Sequence, residues 1–361
     1  STSTALPSNI YGHGAAIYND RIYVLGGSNS IGGAPSTAVR YNKINSDGTL
    51  NSWVQTTDLP QGRFTGGGTM AAIWGAYIYV SSGCSAVNGS GYCTGVHSNI
   101  QLASINADGS LDSWNTVGTA VDERLGGNLI SWRGHLYRVG GCTSQDPSTG
   151  DCGASTLDLI RVGEINRDGD ASTVGESFAS GSGTCTGGSP TQCNLPGTTY
   201  VGNMLTNSFI YNGYLYVTGG CTNNACSTTS NDVVYAAINT DGSISQPATC
   251  AGSYQGGAWC YLANVLPTGV AASSPVTFGG RVYLVGGLDG GANTNELLRA
   301  DLNSDGSLSA WTSQSMTGIG ATNVSYSYAY ARANPSAVAS DPGNMFIFGG
   351  CTSSSSAGCT A

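Results

Sequence analysis

The sequence predicts an all-β chain built from a repeated unit, and three observations carry that prediction. A cassette recurs along its length: a hydrophobic strand ending in a Gly pair, a second strand ending in Asn-x-Asp-Gly, and then a Trp. The strand-like segments are rich in β-branched and aromatic residues and are bounded by Gly, Asn, Asp and Ser. Helical periodicity is absent, and a chain with 55 glycines in 361 residues disfavours long helices. A repeat of roughly fifty to eighty residues made of strands and turns means a propeller or a solenoid. Such units are too small to bury their own cores and must stack on their neighbours, so residues 1–361 are expected to form one domain.

Taken in order, the first unit (about residues 9–60) holds Arg21-Ile-Tyr-Val-Leu-Gly26-Gly27, then Asn45-Ser-Asp47-Gly48 and Trp53. The second (61–125) holds Tyr77-Ile-Tyr79-Val80, Asn106-Ala-Asp108-Gly109 and Trp114. In the third (126–200) His135-Leu-Tyr137-Arg-Val-Gly140-Gly141 and Asn166-Arg-Asp168-Gly169 are followed by a Ser/Gly/Thr-rich insertion in place of the Trp. The fourth (201–268) has Tyr214-Leu-Tyr216-Val-Thr-Gly219-Gly220, Asn239-Thr-Asp241-Gly242 and an insertion from Cys250 to Cys260. The fifth (269–325) has Arg281-Val-Tyr283-Leu-Val-Gly286-Gly287, Asn303-Ser-Asp305-Gly306 and Trp311.

The sixth (326–361) starts with Met345-Phe-Ile-Phe348-Gly349-Gly350 and shows no second half, so the last blade is expected to be incomplete. Ser1 to Ser8 is expected to add one strand to it; either the blade stays thin, or a missing segment or a neighbouring chain completes it, because an open edge invites pairing. Each full unit is expected to hold four strands. The first is small and apolar, as in Gly14-Ala-Ala-Ile-Tyr18 or Asn128-Leu-Ile-Ser-Trp132, and a tight turn such as Asn19-Asp20 or Arg133-Gly134 joins it to the Tyr-rich strand. Leu6-Pro7, Leu59-Pro60, Leu195-Pro196 and Leu266-Pro267 mark passage between units.

Tyr-x-x-Gly-Gly followed at a distance by Trp resembles the Kelch repeat, over about residues 9 to 351. The resemblance implies a galactose-oxidase-like β-propeller of about six four-stranded blades. It implies little about function, since propellers host binding, scaffolding and several chemistries.

Composition bounds the partners. Charged residues make up 9% of the chain, Lys43 is the only lysine, and the net charge is −9. Phosphate backbones require clustered Lys and Arg, so nucleic acid is excluded as a partner. No apolar run spans a bilayer and no basic amphipathic helix is present, so membrane insertion is not expected.

The 12 cysteines form close pairs: Cys84 with Cys93, Cys142 with Cys152, Cys185 with Cys193, Cys221 with Cys226, Cys250 with Cys260, and Cys351 with Cys359. An even count of near neighbours points to disulfides and an extracellular or cell-surface location. Zinc spacing is not met, and no metal or other cofactor is expected. Cys84, Cys142, Cys221 and Cys351 follow the Gly pair or its equivalent, which predicts stapled loops along one rim.

The Asn-x-Asp-Gly turns carry too few carboxylates for a calcium loop and read as hairpin turns. A galactose-oxidase copper site is not expected from three scattered histidines, His13, His97 and His135. Among Kelch-class enzymes a sialic-acid mutarotase is the nearer analogue, since such sites gather Arg, Glu and Asn at the channel mouth. Arg63, Arg124 and Arg332 follow the linkers between units, Glu123 neighbours Arg124, and His13 opens an inner strand; these are the candidate ligand-binding residues. Asn88 and Asn323 fit the N-glycosylation pattern. The leading expectation is a non-enzymatic propeller that displays its stapled loops for adhesion or recognition of a glycan or surface protein. A surface-layer or filament subunit assembling through the last blade, and a carbohydrate-active enzyme of the mutarotase type, are the alternatives.

Overall fold

A computed structural model of the chain describes residues 4–30, 32–64, 70–117, 123–146, 148, 152, 157–158, 160–165, 195–196, 205–223, 226–250, 258–316, 335–340 and 343–350. The described residues contain strands and turns with no α-helix. The first blade is β1 (Tyr11–Tyr18), β2 (Arg21–Ser28), β3 (Val39–Lys43) and β4 (Val54–Gln55), in that spatial order. In the second, β5 (Ala71–Trp74) and β6 (Tyr77–Ser81) are followed by a separate hairpin, β7 (Cys84–Val87) with β8 (Cys93–Val96), before β9 (Ile100–Ser104) and β10 (Asn115–Val117) complete the sheet. The third consists of β11 (Asn128–Trp132), β12 (His135–Val139) and β13 (Ile160–Glu164); its Asn166-to-Gly169 turn and most of the insertion after it lie outside the described residues.

The fourth has β14 (Asn207–Tyr211), β15 (Tyr214–Thr218), β16 (Val233–Ile238) and β17 (Ile244–Ser245), and β18 (Cys260–Tyr261) from the insertion adds to β16. The fifth has β19 (Ser274–Phe278), β20 (Arg281–Val285), β23 (Glu296–Asp301) and β24 (Thr312–Ser315), with a small hairpin of β21 (Leu288–Asp289) and β22 (Ala292–Asn293). Where the sequence predicts an incomplete sixth blade, the described residues form the two-stranded sheet β25 (Ser336–Ser340) with β26 (Asn344–Phe348). The molecule is thus an all-β propeller, and among the described residues it shows five blades of three to five strands each and this smaller sheet, against the expected six.

Residues 4–8 form no strand. They run along the first blade instead, where Trp53 Nε1 donates to the Thr4 carbonyl at 3.0 Å and Leu6 packs with Trp53, Phe346 and Phe348.

The innermost strands β1, β5, β11, β14, β19 and β25 each pack on the next, and β25 returns to β1. Small side chains permit that approach: a Cβ on Gly14 would already sit 3.1 Å from Met70. The two-residue turns leaving these strands have both central residues at positive φ in Arg133-Gly134 and Asn212-Gly213, the hairpin geometry matched to strand twist.

The Asn-x-Asp-Gly segments close the outer hairpins, as the sequence predicts. In the four described turns the Asp carboxylate accepts from both the amide and hydroxyl of the residue two further on, Thr49, Ser110, Ser243 or Ser307. Those bonds hold Asp47, Asp108, Asp241 and Asp305 below the usual carboxylate range. The carboxylates are committed to their own turns.

The core is divided among the faces between blades. Tyr23 and Leu25 of the first blade share a cluster with Ile78, Val80 and Leu111 of the second. A polar contact is superimposed on this packing. Tyr23, Tyr137 and Tyr216, each fully buried, donate their hydroxyls at 2.9 Å to the carbonyls of Gly109, Gly242 and Gly306, the turn glycines of the following blade. Large apolar bodies with one satisfied polar tip are suited to such seams.

Candidate functional site

The strand after the tight turn ends at the face where the inner strand begins, so the Gly pairs, the linkers between blades and the stapled loops share one rim. The pairs adopt left-handed backbone: Gly26 at φ 67°, Gly140 at 62°, Gly219 at 61°, Gly286 at 59°. In the second blade Ser82 holds this conformation at φ 70°, a strained position for a residue with a side chain.

Disulfides join Cys84 to Cys93, Cys142 to Cys152, Cys221 to Cys226 and Cys250 to Cys260, as the spacing predicts. The pairs Cys185/Cys193 and Cys351/Cys359 lie outside the described residues. Cys84, Cys142 and Cys221 occupy equivalent positions, and their bridges pack into one apolar cluster with Tyr11, Phe64 and Leu125. No helix among the described residues is long and apolar enough to cross a membrane.

Three buried arginines converge behind this cluster. Arg63, fully buried, donates through Nη1 to the Ser82 carbonyl at 2.8 Å and through Nη2 to Asn99 Oδ1. Arg124, 1% exposed, donates from Nη1 to the Gly140 carbonyl at 2.8 Å and to the Arg138 carbonyl at 3.3 Å. Arg138 reaches the Ser82 hydroxyl with Nη2 at 3.2 Å. Burial alone lowers the pKa of Arg63, to about 10. Ser82 thereby serves two arginines from its strained position, Arg63 with its backbone carbonyl and Arg138 with its side-chain hydroxyl.

His97 is held neutral beside them. Its Nε2 lies 2.9 Å from the Gly62 carbonyl, and burial, with the nearby Arg63 charge, lowers its pKa to about 4. His13 is 1% exposed, neither ring nitrogen has a partner among the described residues, and burial lowers its pKa to about 4. It packs against Gly27 and Gly349 where the first blade meets the β25–β26 sheet.

Of the residues singled out in the sequence, Arg63 and Arg124 come together, but as buried braces on backbone carbonyls. Glu123 is exposed and forms no ion pair among the described residues. His13 stands apart from them, and Arg332 and Asn323 lie outside the described residues. Asn88 sits in the β7–β8 turn, where its Oδ1 accepts from the amides of Ser90 and Tyr92.

Sequence reasoning missed Arg138 and Ser82. Each had a signal: a charge where other copies carry Val24, Val80 or Val217, and a serine where they carry the first Gly of the pair. It also missed a cavity of about 260 Å³ on the same rim, lined by Ser8, Asn9, Ser28, Asn29, Ser36 and Arg40 among others. The guanidinium of Arg40 makes no hydrogen bond or ion pair among the described residues. Among the described residues no cluster of His, Cys, Asp and Glu is arranged to hold a metal.

No protein-family model matches the chain, and no curated protein matches it. Among solved structures, one titled "Structure of YjhT" is similar with a TM-score of 0.63 at 15% identity, covering 99% of this chain and 95% of that one. At that identity the likeness speaks to fold, and across nearly the whole of both chains the fold is a β-propeller.

Proposed function

We propose that the chain is an extracellular, non-enzymatic Kelch-type propeller whose stapled rim recognises glycans, with β25–β26 as the inner half of a sixth blade. The observation that carries this reading is the rim cavity beside β2. Its lining mixes hydroxyls and amides with Ile10, Ala34 and Ala38, a combination suited to the hydroxyls and apolar faces of a sugar, and Arg40, without a side-chain partner among the described residues, offers one to an acidic substituent. The Cys84–Cys93 bridge of the second blade staples the β7–β8 hairpin, whose Asn88 and Gly89 carbonyls lie against Gly32 in the loop beside the cavity, and a loop held in place before binding lowers the ordering cost of recognition.

The mutarotase-type alternative draws less support. Arg63 and Arg124 are turned onto carbonyl oxygens and buried, and Glu123 is exposed.

A glycan array followed by titration calorimetry tests the reading. Binding of an acidic oligosaccharide is expected, and Arg40→Ala should weaken it about tenfold or more, the worth of a hydrogen bond to a charged group. Turnover of a sugar panel that disappears in Glu123→Gln would overturn it in favour of the enzyme.

A further inference from the structure

The rim cavity lies on the first blade, yet the loop that walls it leans on the second. That loop leads from β2 to β3, and its Ala34, Ser36 and Ala38 line the cavity. Two of its bonds stay within the first blade, from the Ser36 amide to the Gly27 carbonyl at 2.7 Å and from the Gly33 amide to the Ser30 carbonyl at 3.0 Å. Three contacts reach the second unit. Gly32 lies against the Asn88 and Gly89 carbonyls at the tip of the β7–β8 hairpin, and Pro35 packs on Gly62 so closely that a Cβ there would overlap its carbonyl. Beside them, the Arg63 amide donates to the Ser36 carbonyl at 3.1 Å.

Gly62 and Arg63 are held in turn from inside the second blade. Arg63 is braced by Ser82 and Asn99, and His97, the residue after β8, has its Nε2 2.9 Å from the Gly62 carbonyl. A carbonyl only accepts, so this nitrogen carries the proton. The main chain of His97 is fixed separately, its amide donating to the Gly83 carbonyl at 2.8 Å and its carbonyl accepting from the Arg124 amide at 3.4 Å. The ring can therefore turn away without displacing the chain that carries it.

We infer that His97 is a positioning residue for the rim cavity, and that the second blade lets go of the cavity's wall loop when this imidazole takes up a proton. The coupling is a property of the chain; its consequence, release of a bound glycan in acid, rests on the reading of the cavity proposed above. A second proton on the ring would keep the bond to Gly62 but place a cation where the residue is 7% exposed and the Arg63 charge opposes it. Arg63 is the charged side chain that acts on the ring. Arg124 meets His97 through its backbone, the hairpin tip adds the phenol of Tyr92, and β7, β8, β9 and the wall loop carry no ionisable side chain beyond the bridged cysteines. Apart from the exposed Glu123, no carboxylate lies on these elements to offset the new charge. The cationic ring is driven to water, and Gly62 is left unheld against Pro35. The arrangement is intact above the ordinary histidine value of 6.5 and is lost as pH falls towards 4.

Hydrogen exchange of the unliganded protein, with its disulfides intact, tests the coupling. Between pH 7 and 4.5 the protection factors of the Gly33, Ser36 and Arg63 amides, corrected for intrinsic exchange, should fall about tenfold beyond any change in β20, the worth of one hydrogen bond. His97→Gln, which keeps an N–H donor and does not titrate, should hold that protection at pH 4.5, and His97→Ala should lose it already at pH 7. Equal pH profiles in the unaltered protein and His97→Gln, or unchanged protection in His97→Ala, overturn the assignment. Calorimetry with a galacturonic-acid hexamer follows the consequence. Its affinity should fall about tenfold more between pH 7 and 4.5 for the unaltered protein than for His97→Gln, since protonation of the sugar is common to both. Equal falls overturn acid release; no hexamer binding, with the exchange results as expected, removes the glycan reading and leaves the coupling standing.

Discussion

The seam between the fourth and fifth blades and the seam beyond the fifth begin from nearly the same strand. In β15 and β20 the inward residues Leu215 and Val282 are both fully buried, and a tyrosine follows each. Tyr216 lies between Phe209 and Tyr235, stacked on each at 4.7 and 5.8 Å, and its hydroxyl reaches Gly306. Tyr283 stacks on one ring and, among the described residues, faces no turn. The difference shows that the tyrosine's contribution is decided by the next blade, since the strand that carries it is the same in both places.

The strongest way to break this comparison is truncation. Tyr216→Ala should cost about 3–5 kcal/mol, as for other buried aromatic rings, whereas Tyr283→Ala should cost less than about 2 kcal/mol. Urea unfolding with the disulfides intact measures both, and equal losses would remove the distinction.

A smaller effect separates the seam on the other side of the β25–β26 sheet. There Ser336 Oγ donates to the His13 carbonyl at 2.9 Å and the His13 ring is buried. Its folded pKa, about 4, lies below the ordinary histidine value of 6.5, so the unfolded chain binds the proton more readily. The neutral ring's contribution is therefore fully present above pH 6.5 and is lost as pH falls towards 4, on the order of 2–3 kcal/mol. His97 acts in the same direction. Thermal unfolding from pH 7 to 4 should show this loss, and His13→Phe should reduce its slope.

The finest test is removal of a single oxygen. Tyr216→Phe should cost about 1 kcal/mol by leaving the Gly306 carbonyl without its donor, and Tyr283→Phe almost nothing. Urea unfolding of the two variants should show that difference.

Much of this seam chemistry is legible in the sequence. The Gly pairs announce left-handed backbone, the Asp-Gly segments announce hairpins, and close cysteine spacing announces the four described bridges, because each is a local matter settled within a few residues. Depth is not legible. Spacing puts Arg63 and Arg124 near one end of the ring, yet whether they face solvent or backbone carbonyls depends on segments many residues away. The rim cavity is hidden for the same reason: Ser8, Ser28 and Arg40 belong to three segments with no shared motif, brought together only when the first blade closes. The count of blades falls between the two, since the Gly pair of the last unit is visible while the sheet beside it has two strands among the described residues.

The contact from tyrosine to the next turn runs one way around the ring, and a complete unit carries both halves of it, the donor on its second strand and the acceptor on its outer hairpin. A unit copied whole therefore arrives already compatible with the units on either side of it. Growth by duplication needs no matched pair of mutations, and loss of a unit leaves the remaining ends able to meet. What such a lineage cannot discard freely is half a unit, because that strands a donor on one side.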